Sequence, residues 1–187
     1  MTDVELICGV DEAGRGPLAG PVTAGAVILS RDFPRDILSD SKALNPAQRT
    51  EVAVVIRGRA IAWSLGWASH AEIDLFNIHN ATLLAMRRAV LALPVHPTRI
   101  FVDGLFCPAC GIVSSAVVRG DATVPEIMAA SILAKTARDA WMEEYAKIEP
   151  AYGFERHKGY PTLEHRRAIV CTGPSRIQRL SFQITVP

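Results

Sequence analysis

The sequence predicts an α/β protein with a mixed five-stranded sheet that is flanked by helices. Short apolar runs rich in β-branched residues recur along the 187 residues, and segments with helical spacing lie between them. The order is strand, strand, helix, strand, helices, strand, strand, helix, helix, which is typical of a sheet with helices on its faces. No internal repeat or long linker divides the chain, so we expect a single domain over residues 1–187.

Five segments have the composition of strands. The first is nearly continuous in apolar residues and ends at Asp11 and Glu12, and the fourth is followed by Asp103 and Gly104. The predicted strands cover residues 4–10, 22–29, 60–67, 99–102 and 112–118.

The helical segments are bounded by capping and helix-breaking residues. Residues 72–93 carry helical spacing and are expected to form two helices that meet near Asn77. Thr123 and Glu126 match a capping box, and Pro161 is expected to open the last helix. The predicted helices cover residues 46–59, 72–93, 125–148 and 161–172.

Composition excludes several classes of protein. A hydrophobic fraction of 49% is too high for a disordered chain, and no apolar run of about 18 residues could span a membrane. The N-terminus lacks the basic region of a secretory signal, so we expect a cytoplasmic protein. The four cysteines are expected to be thiols, and the single C-x-x-C pair, Cys107 and Cys110, lacks the second pair of a structural zinc site.

The formal net charge is +1, but it is unevenly distributed. Residues 156–187 contain six basic residues and one acid, Glu164, so this segment has a net charge of +5 and residues 1–155 have a net charge of −4. A basic segment beside an acidic body fits a phosphate-binding face next to a carboxylate centre. The alternative is a solvated helix face followed by a tail.

Acidic residues follow two of the predicted strands, and Asp121 follows the fifth. Sites in α/β sheets gather at the carboxyl ends of strands, and converging carboxylates repel one another unless a divalent cation lies between them. Magnesium or manganese (Mg²⁺ or Mn²⁺) suits such oxygen ligands, and two ions about 4 Å apart would activate a water and stabilise a leaving oxygen. The alternative is that each acid caps a helix or pairs with an arginine. Because neighbours on a strand point to opposite faces, Asp11 and Glu12 share one site only if the chain leaves the strand at Glu12.

Residues 14–19 match G-x-G-x-x-A, a variant of the dinucleotide fingerprint. A strand follows instead of the required helix, so we expect no nicotinamide cofactor. We interpret the loop as bare backbone that approaches a sugar or phosphate, with Arg15 adding a charge, and it could contact a ribose 2′-hydroxyl. A tight turn that needs positive φ is the alternative.

Taken together, the ordered motifs resemble the ribonuclease HII family, the type 2 bacterial ribonucleases H. The resemblance covers about residues 5–182. Its most specific runs are GVDEAGRGPLAGPV (9–22), DSK (40–42), VDG (102–104), GD (120–121), AASILAK (129–135) and HKGYPT (157–162).

The resemblance implies a ribonuclease H-like fold and one type 2 catalytic domain over residues 1–187. It implies cleavage of the RNA strand of RNA–DNA hybrids and nicking 5′ of single ribonucleotides in duplex DNA, leaving 3′-hydroxyl and 5′-phosphate ends. Such an activity serves ribonucleotide excision repair and DNA replication. The implied ligands of two Mg²⁺ or Mn²⁺ ions, which are also the catalytic residues, are Asp11, Glu12, Asp103 and Asp121.

The resemblance also implies how the substrate is read. The backbone of Gly14, Arg15 and Gly16 reads the 2′-hydroxyl, and Tyr160 packs on the deoxyribose that follows the ribonucleotide. Without the resemblance, Tyr160 would be interpreted as a surface aromatic that caps the last helix. The side chains interpreted as phosphate contacts are those of Arg15, Ser41, Lys42 and Lys158.

The sequence departs from the family at a few positions. Leu105 and Phe106 stand where the family commonly has a polar or basic pair, and Gln178 stands where it often has histidine. No clamp-binding pattern occurs in residues 183–187, and the protein is expected to be a monomer. Arg15 and the short N-terminus point away from the type 3 relative. The rival functions are a resolvase- or transposase-like nuclease of the same fold, an inactive nucleic-acid-binding protein and a dinucleotide oxidoreductase.

Overall fold

The computed structural model describes residues 5–38 and 44–184. The strands are β1 (Ile7–Ala13), β2 (Val22–Ile28), β3 (Ala62–Ala68), β4 (Arg99–Asp103) and β5 (Ser114–Val117). The helices are α1 (Pro46–Arg59), α2 (His70–Leu91), α3 (Pro125–Ala146), α4 (Phe154–His157) and α5 (Leu163–Thr172). Short 3-10 turns lie at Arg35–Leu38, Gly120–Ala122 and Pro150–Tyr152.

The five strands form one mixed sheet in the order β3-β2-β1-β4-β5. The central strand β1 is antiparallel to β2 and parallel to β4, and β4 is parallel to β5. The predicted five-stranded mixed sheet is therefore confirmed. Because β1, β4 and β5 run in the same direction, their carboxyl ends lie at one edge of the sheet.

Helices cover both faces of the sheet. On one face α2 packs on a core that includes Val10, Ala24 and Ile100. On the other face α1 and α3 pack on a core that includes Val27 and Leu133. No helix in the described ranges is both long and apolar enough to cross a bilayer.

Glycines on the central strands let α3 lie directly against the sheet. A Cβ atom added to Gly25 would stand 2.5 Å from the backbone oxygen of Ala130, and one added to Gly9 would collide with the backbone of Glu126 and Ile127. The strands therefore meet the backbone of α3, which brings that helix close to the carboxyl end of β1.

Two predictions about local structure were wrong. The chain does not leave the strand at Glu12, because β1 continues to Ala13 and pairs there with Thr23 of β2. The capping box is also absent from α3, whose N-cap is Val124 without a side-chain hydrogen bond. The Thr123 hydroxyl instead donates to the Arg119 carbonyl, and Glu126 pairs with Arg35.

The predictions for the second and the last helix agree more closely with the structure. The predicted break near Asn77 is confirmed by its φ of 66° inside α2, and its side chain accepts a hydrogen bond from the Asn80 amide. The last helix begins at Leu163 rather than at Pro161, because the Thr162 side chain caps it by accepting from the His165 amide.

Candidate active site

Asp11 and Asp103 lie beside each other at the carboxyl ends of two parallel strands. The register pairs Val10 of β1 with Val102 of β4, so the next residue of each strand is an aspartate. Asp11 is buried, and this burial raises the pKa of its carboxyl well above the usual value. The neighbouring charges of Glu12 and Asp103 raise that pKa as well, whereas a hydrogen bond with Ser131 of α3 opposes the shift. A buried acid among acids favours a cation at this edge of the sheet.

Glu12 reaches the same site although the chain stays in the strand. Burial raises the pKa of its carboxyl, and the charge of Asp103 adds to that effect. The Arg15 guanidinium lies 3.3 Å from the Glu12 carboxylate and opposes the shift. Arg15 was predicted to offer its charge to a phosphate, and in this structure it neutralises part of the acidic cluster.

Asp121 is joined to this group through its backbone. It lies in the 3-10 turn Gly120–Ala122, between β5 and α3, and its amide donates to the Asp103 carboxylate at 3.2 Å. The turn therefore places the fourth predicted acid beside the strand ends that carry the other three.

A small cleft of about 60 Å³ opens beside these acids. Glu12, Arg15 and Asp103 line one part of it, and His79 and Phe106 line another. The Phe106 ring packs edge-on against the His79 ring with centroids 4.7 Å apart. Leu105 and Phe106, two of the residues that depart from the family pattern, thus line the cleft next to the acidic cluster.

The glycine loop and Tyr160 are neighbours. The Leu18 amide donates to the Gly159 carbonyl at 2.8 Å, which ties the loop to the turn that carries Tyr160. A Cβ atom on Gly16 would meet only the Tyr160 ring, at 3.8 Å. The ring is 39% exposed. An aromatic face and an open stretch of backbone therefore border the same space.

The other predicted phosphate contacts are engaged or lie outside the described residues. The Lys158 ammonium pairs with Glu143 at 2.8 Å. Ser41 and Lys42 lie outside the described residues. His157 and His165 are buried and stack on each other with ring centroids 4.7 Å apart.

Two functional candidates that sequence reasoning missed are Arg138 and Arg179. Both side chains are fully buried, and both donate to carbonyls of the glycine loop. Asp139, the residue after Arg138, pairs with Lys135 at 2.7 Å. No local signal marks these buried arginines, because the loop carbonyls that they bind lie more than 100 residues away along the chain.

The donor set suits a hard divalent cation. Within the described ranges no group of three or more His, Cys, Asp or Glu side chains is arranged to hold a metal ion by itself. Magnesium, however, is commonly bound through one or two carboxylates together with water and substrate phosphates. The buried Asp11 carboxylate and its acidic neighbours fit such an open site, in which the substrate supplies the remaining oxygen ligands.

A mixed sheet in this order, with acids gathered at the ends of its parallel strands, defines a ribonuclease H-like nuclease. The comparisons with known proteins agree. A family profile described as Ribonuclease HII matches residues 8–185. The Ribonuclease HII of Nitrosospira multiformis is 52% identical over 176 residues, which cover 94% of this chain and 88% of that protein. The chain belongs to the ribonuclease HII family, so it is a ribonuclease H, a metal-dependent endonuclease that acts on RNA–DNA hybrids.

Solved structures share the fold. The ribonuclease H2 of Pyrococcus horikoshii OT3 has a TM-score of 0.81 and 26% identity, covering 95% of this chain and 94% of that one. The RNase HII of Archaeoglobus fulgidus, solved in a complex with PCNA, has a TM-score of 0.81 and 22% identity, with 96% of each chain covered. Bst-RNase HIII, solved in complex with Mn²⁺, has a TM-score of 0.74 and 18% identity, covering 97% of this chain and 68% of that one.

Proposed function

We propose that this enzyme, besides cutting the RNA strand of hybrids, nicks duplex DNA on the 5′ side of a single embedded ribonucleotide. The products carry 3′-hydroxyl and 5′-phosphate ends, and the activity serves the removal of ribonucleotides from DNA. The observation that carries the proposal is the acidic strand edge, which lies beside the glycine loop and Tyr160. We assign the whole activity to one catalytic domain over residues 1–187, acting as a monomer.

The four acids are the proposed metal ligands and catalytic residues: Asp11, Glu12, Asp103 and Asp121. Two Mg²⁺ or Mn²⁺ ions, when bound, supply activation of a water and stabilisation of the departing 3′-oxygen. Mn²⁺ is bound by the distant relative Bst-RNase HIII, which supports a divalent ion of this size. The protein would contribute the carboxylates that hold these ions, and the ions would in turn orient the scissile phosphate.

The glycine loop is the proposed reader of the ribose. The exposed backbone of Arg15 and Gly16 can approach a 2′-hydroxyl closely, because no side chain covers Gly16. The half-exposed Tyr160 ring lies on the other side of the same space and offers its face to the next sugar. An extra hydroxyl on that sugar would meet the ring, which favours deoxyribose at this position.

We propose that residues 183–187 do not form a clamp-binding segment. The A. fulgidus protein is seen with PCNA. Residues 183–187 of this chain lack the glutamine, spaced aliphatic and paired aromatic residues of a clamp-binding segment.

The test is a cleavage assay on a DNA duplex that contains one ribonucleotide, with magnesium, manganese or a chelator, and an all-DNA duplex as control. Metal-dependent nicking on the 5′ side of the ribonucleotide is expected, with no cutting of the control duplex. A folded sample that nicks neither duplex with either metal would point instead to a nucleic-acid-binding protein without catalysis. Cutting of both duplexes alike would indicate a resolvase-like nuclease.

The site assignment is tested by Asp103→Asn, which keeps the size of the side chain and removes its charge. We expect the variant to fold and to lose cleavage by at least about a hundredfold, since a metal ligand is lost. Asp32→Asn is the matched control, because Asp32 is exposed and follows β2 at the opposite end of the sheet. Normal activity in Asp103→Asn would show that the site is wrongly assigned.

A further inference from the structure

Arg138 and Arg179 are unusual because they are completely buried without an acidic partner. Both side chains have no exposed surface. Within residues 5–38 and 44–184, neither guanidinium forms an ion pair with a carboxylate. Burial lowers the pKa of Arg179 to about 9, and the nearby charge of Arg138 contributes to this shift. Two buried cations are costly unless hydrogen bonds replace the lost water.

The replacement comes from the carbonyl groups of one short loop. Arg138 donates to Ala19, to Pro21 and to the Lys158 carbonyl. Arg179 donates to five carbonyls, all within residues 14–21, namely those of Gly14, Arg15, Pro17, Gly20 and Pro21. The two guanidiniums therefore bind six of the eight carbonyls of residues 14–21.

This arrangement determines where the amide groups of the loop point. A peptide unit is planar and trans, so the N–H of one residue points away from the carbonyl of the residue before it. Because Arg179 draws the carbonyls of Gly14 and Arg15 inward, the N–H groups of Arg15 and Gly16 are turned outward, toward the space beside Tyr160.

Arg138 connects the same loop to the Tyr160 turn. It bonds the Lys158 carbonyl at 3.0 Å, and its guanidinium carbon lies 5.9 Å from the centroid of the Tyr160 ring. The loop and the ring are thus held by one buried pair of side chains, which sets the spacing between them.

We propose that Arg138 and Arg179 are positioning residues for sugar discrimination. They fix the outward amides of the glycine loop at a set distance from Tyr160, so that a ribose followed by a deoxyribose fits between them. The inference rests on the proposed reading of the 2′-hydroxyl by this loop. Arginine is required because its planar group has five donors, whereas lysine has three and cannot reach all of these carbonyls.

The test compares the binding of two duplexes of identical sequence, one all DNA and one with a single ribonucleotide. Dissociation constants are measured by fluorescence anisotropy in the Asp103→Asn background, so that cleavage does not interfere. We expect Arg179→Lys and Arg138→Lys to reduce the preference for the ribonucleotide duplex by about tenfold, the value of one hydrogen bond of about 1.4 kcal/mol. Affinity for the all-DNA duplex should change much less.

A control variant that destabilises another part of the protein distinguishes a positioning role of the two arginines from a purely structural one. Val90 lies on α2 and is buried in the core between that helix and the sheet, so Val90→Ala should lower stability without changing the preference. If Arg179→Lys lowers affinity for both duplexes equally, or changes neither, the positioning role is refuted. If the Asp103→Asn protein with both arginines intact shows no preference for the ribonucleotide duplex, the proposed reading of the 2′-hydroxyl fails instead.

A measurement on the wild-type chain covers the case in which the lysine variants do not fold. Amide hydrogen exchange should be fast at Arg15 and Gly16 in the free protein and should slow on addition of the ribonucleotide duplex but not of the all-DNA duplex. Slow exchange of these amides in the free protein would mean that they do not face outward, which would overturn the inference.

Discussion

Gly25→Ala tests whether the close approach of α3 to the sheet holds the active site together. Gly25 pairs across the sheet with Asp11, and its missing side chain leaves room for the backbone of Ala130. An added Cβ would lie 2.5 Å from the Ala130 oxygen, about 0.9 Å short of the 3.4 Å at which ordinary contact begins. Because the obstacle is backbone, no side-chain rotation can relieve it.

The cost follows from two opposing effects. Overpacking of a core typically destabilises by about 1–3 kcal/mol, and replacing glycine with alanine recovers about 0.4–1 kcal/mol through the unfolded state. A net loss of about 1.3 kcal/mol is expected, which lowers Tm by about 3–5 °C in a chain of this length. Movement of α3 also displaces Ser131 from Asp11. A misplacement of about 1 Å at a reacting centre can reduce the rate by about a hundredfold.

The assay combines thermal unfolding with kcat/KM on an RNA–DNA hybrid, measured well below the Tm of the variant. Gly58→Ala is the control, since a Cβ there meets nothing within 4 Å and the residue lies in α1. The same chemical change should then stabilise the protein by about 0.5–1 kcal/mol and leave activity unchanged. A Gly25→Ala protein with the wild-type Tm and activity would refute the argument from close packing.

Two further predictions concern stability and pH. Arg88 donates to Glu72 and lowers the pKa of that carboxyl to about 2, so the stabilisation is complete above the unfolded pKa of about 4.5 and is lost as the pH falls toward 2. Glu72→Gln should therefore lower the free energy of unfolding in urea by about 1 kcal/mol at pH 7, a modest value because the pair is partly exposed. The difference between the two proteins should shrink below pH 4.5. A difference that stays constant with pH would contradict a stabilising pair between Glu72 and Arg88. Burial lowers the pKa of His165, whose Nδ1 forms a hydrogen bond with the Tyr160 carbonyl. The neutral ring therefore stabilises the fold above pH 6.5, and this stabilisation is lost as the pH falls through the lowered pKa. His165→Asn should flatten that decline in a urea-denaturation series from pH 7.5 to 5, and an unchanged slope would exclude His165 as its source.

Much of the fold follows from local patterns in the sequence. The apolar runs, their β-branched residues and the acids that follow them predict five strands and the edge at which Asp11 and Asp103 meet. The prediction placed the end of β1 too early, because Asp11 and Glu12 are charged and charged residues are rarely buried. Pairing with β2 kept the chain extended to Ala13, and hydrogen bonds to a neighbouring strand cannot be read from one segment.

The candidate site could be predicted only in part. The four acids and the glycine loop are predicted as site residues because charged residues and glycines next to apolar runs are visible locally. The prediction that Thr123 caps α3 was wrong, because its hydroxyl donates to the Arg119 carbonyl in the turn before that helix. The link between Asp103 and the Asp121 amide spans 18 residues and depends on the parallel pairing of β4 with β5.

The sequence alone determined the alternation of strands and helices, the four acids and the motifs that the family shares. Only the tertiary structure decided that Arg138 and Arg179 lie beneath the glycine loop and that Gly25 meets the backbone of α3. The physical reason is distance along the chain. Propensity, polarity and turn chemistry act over a few residues, whereas burial of a charge and close backbone packing depend on groups more than 100 residues apart.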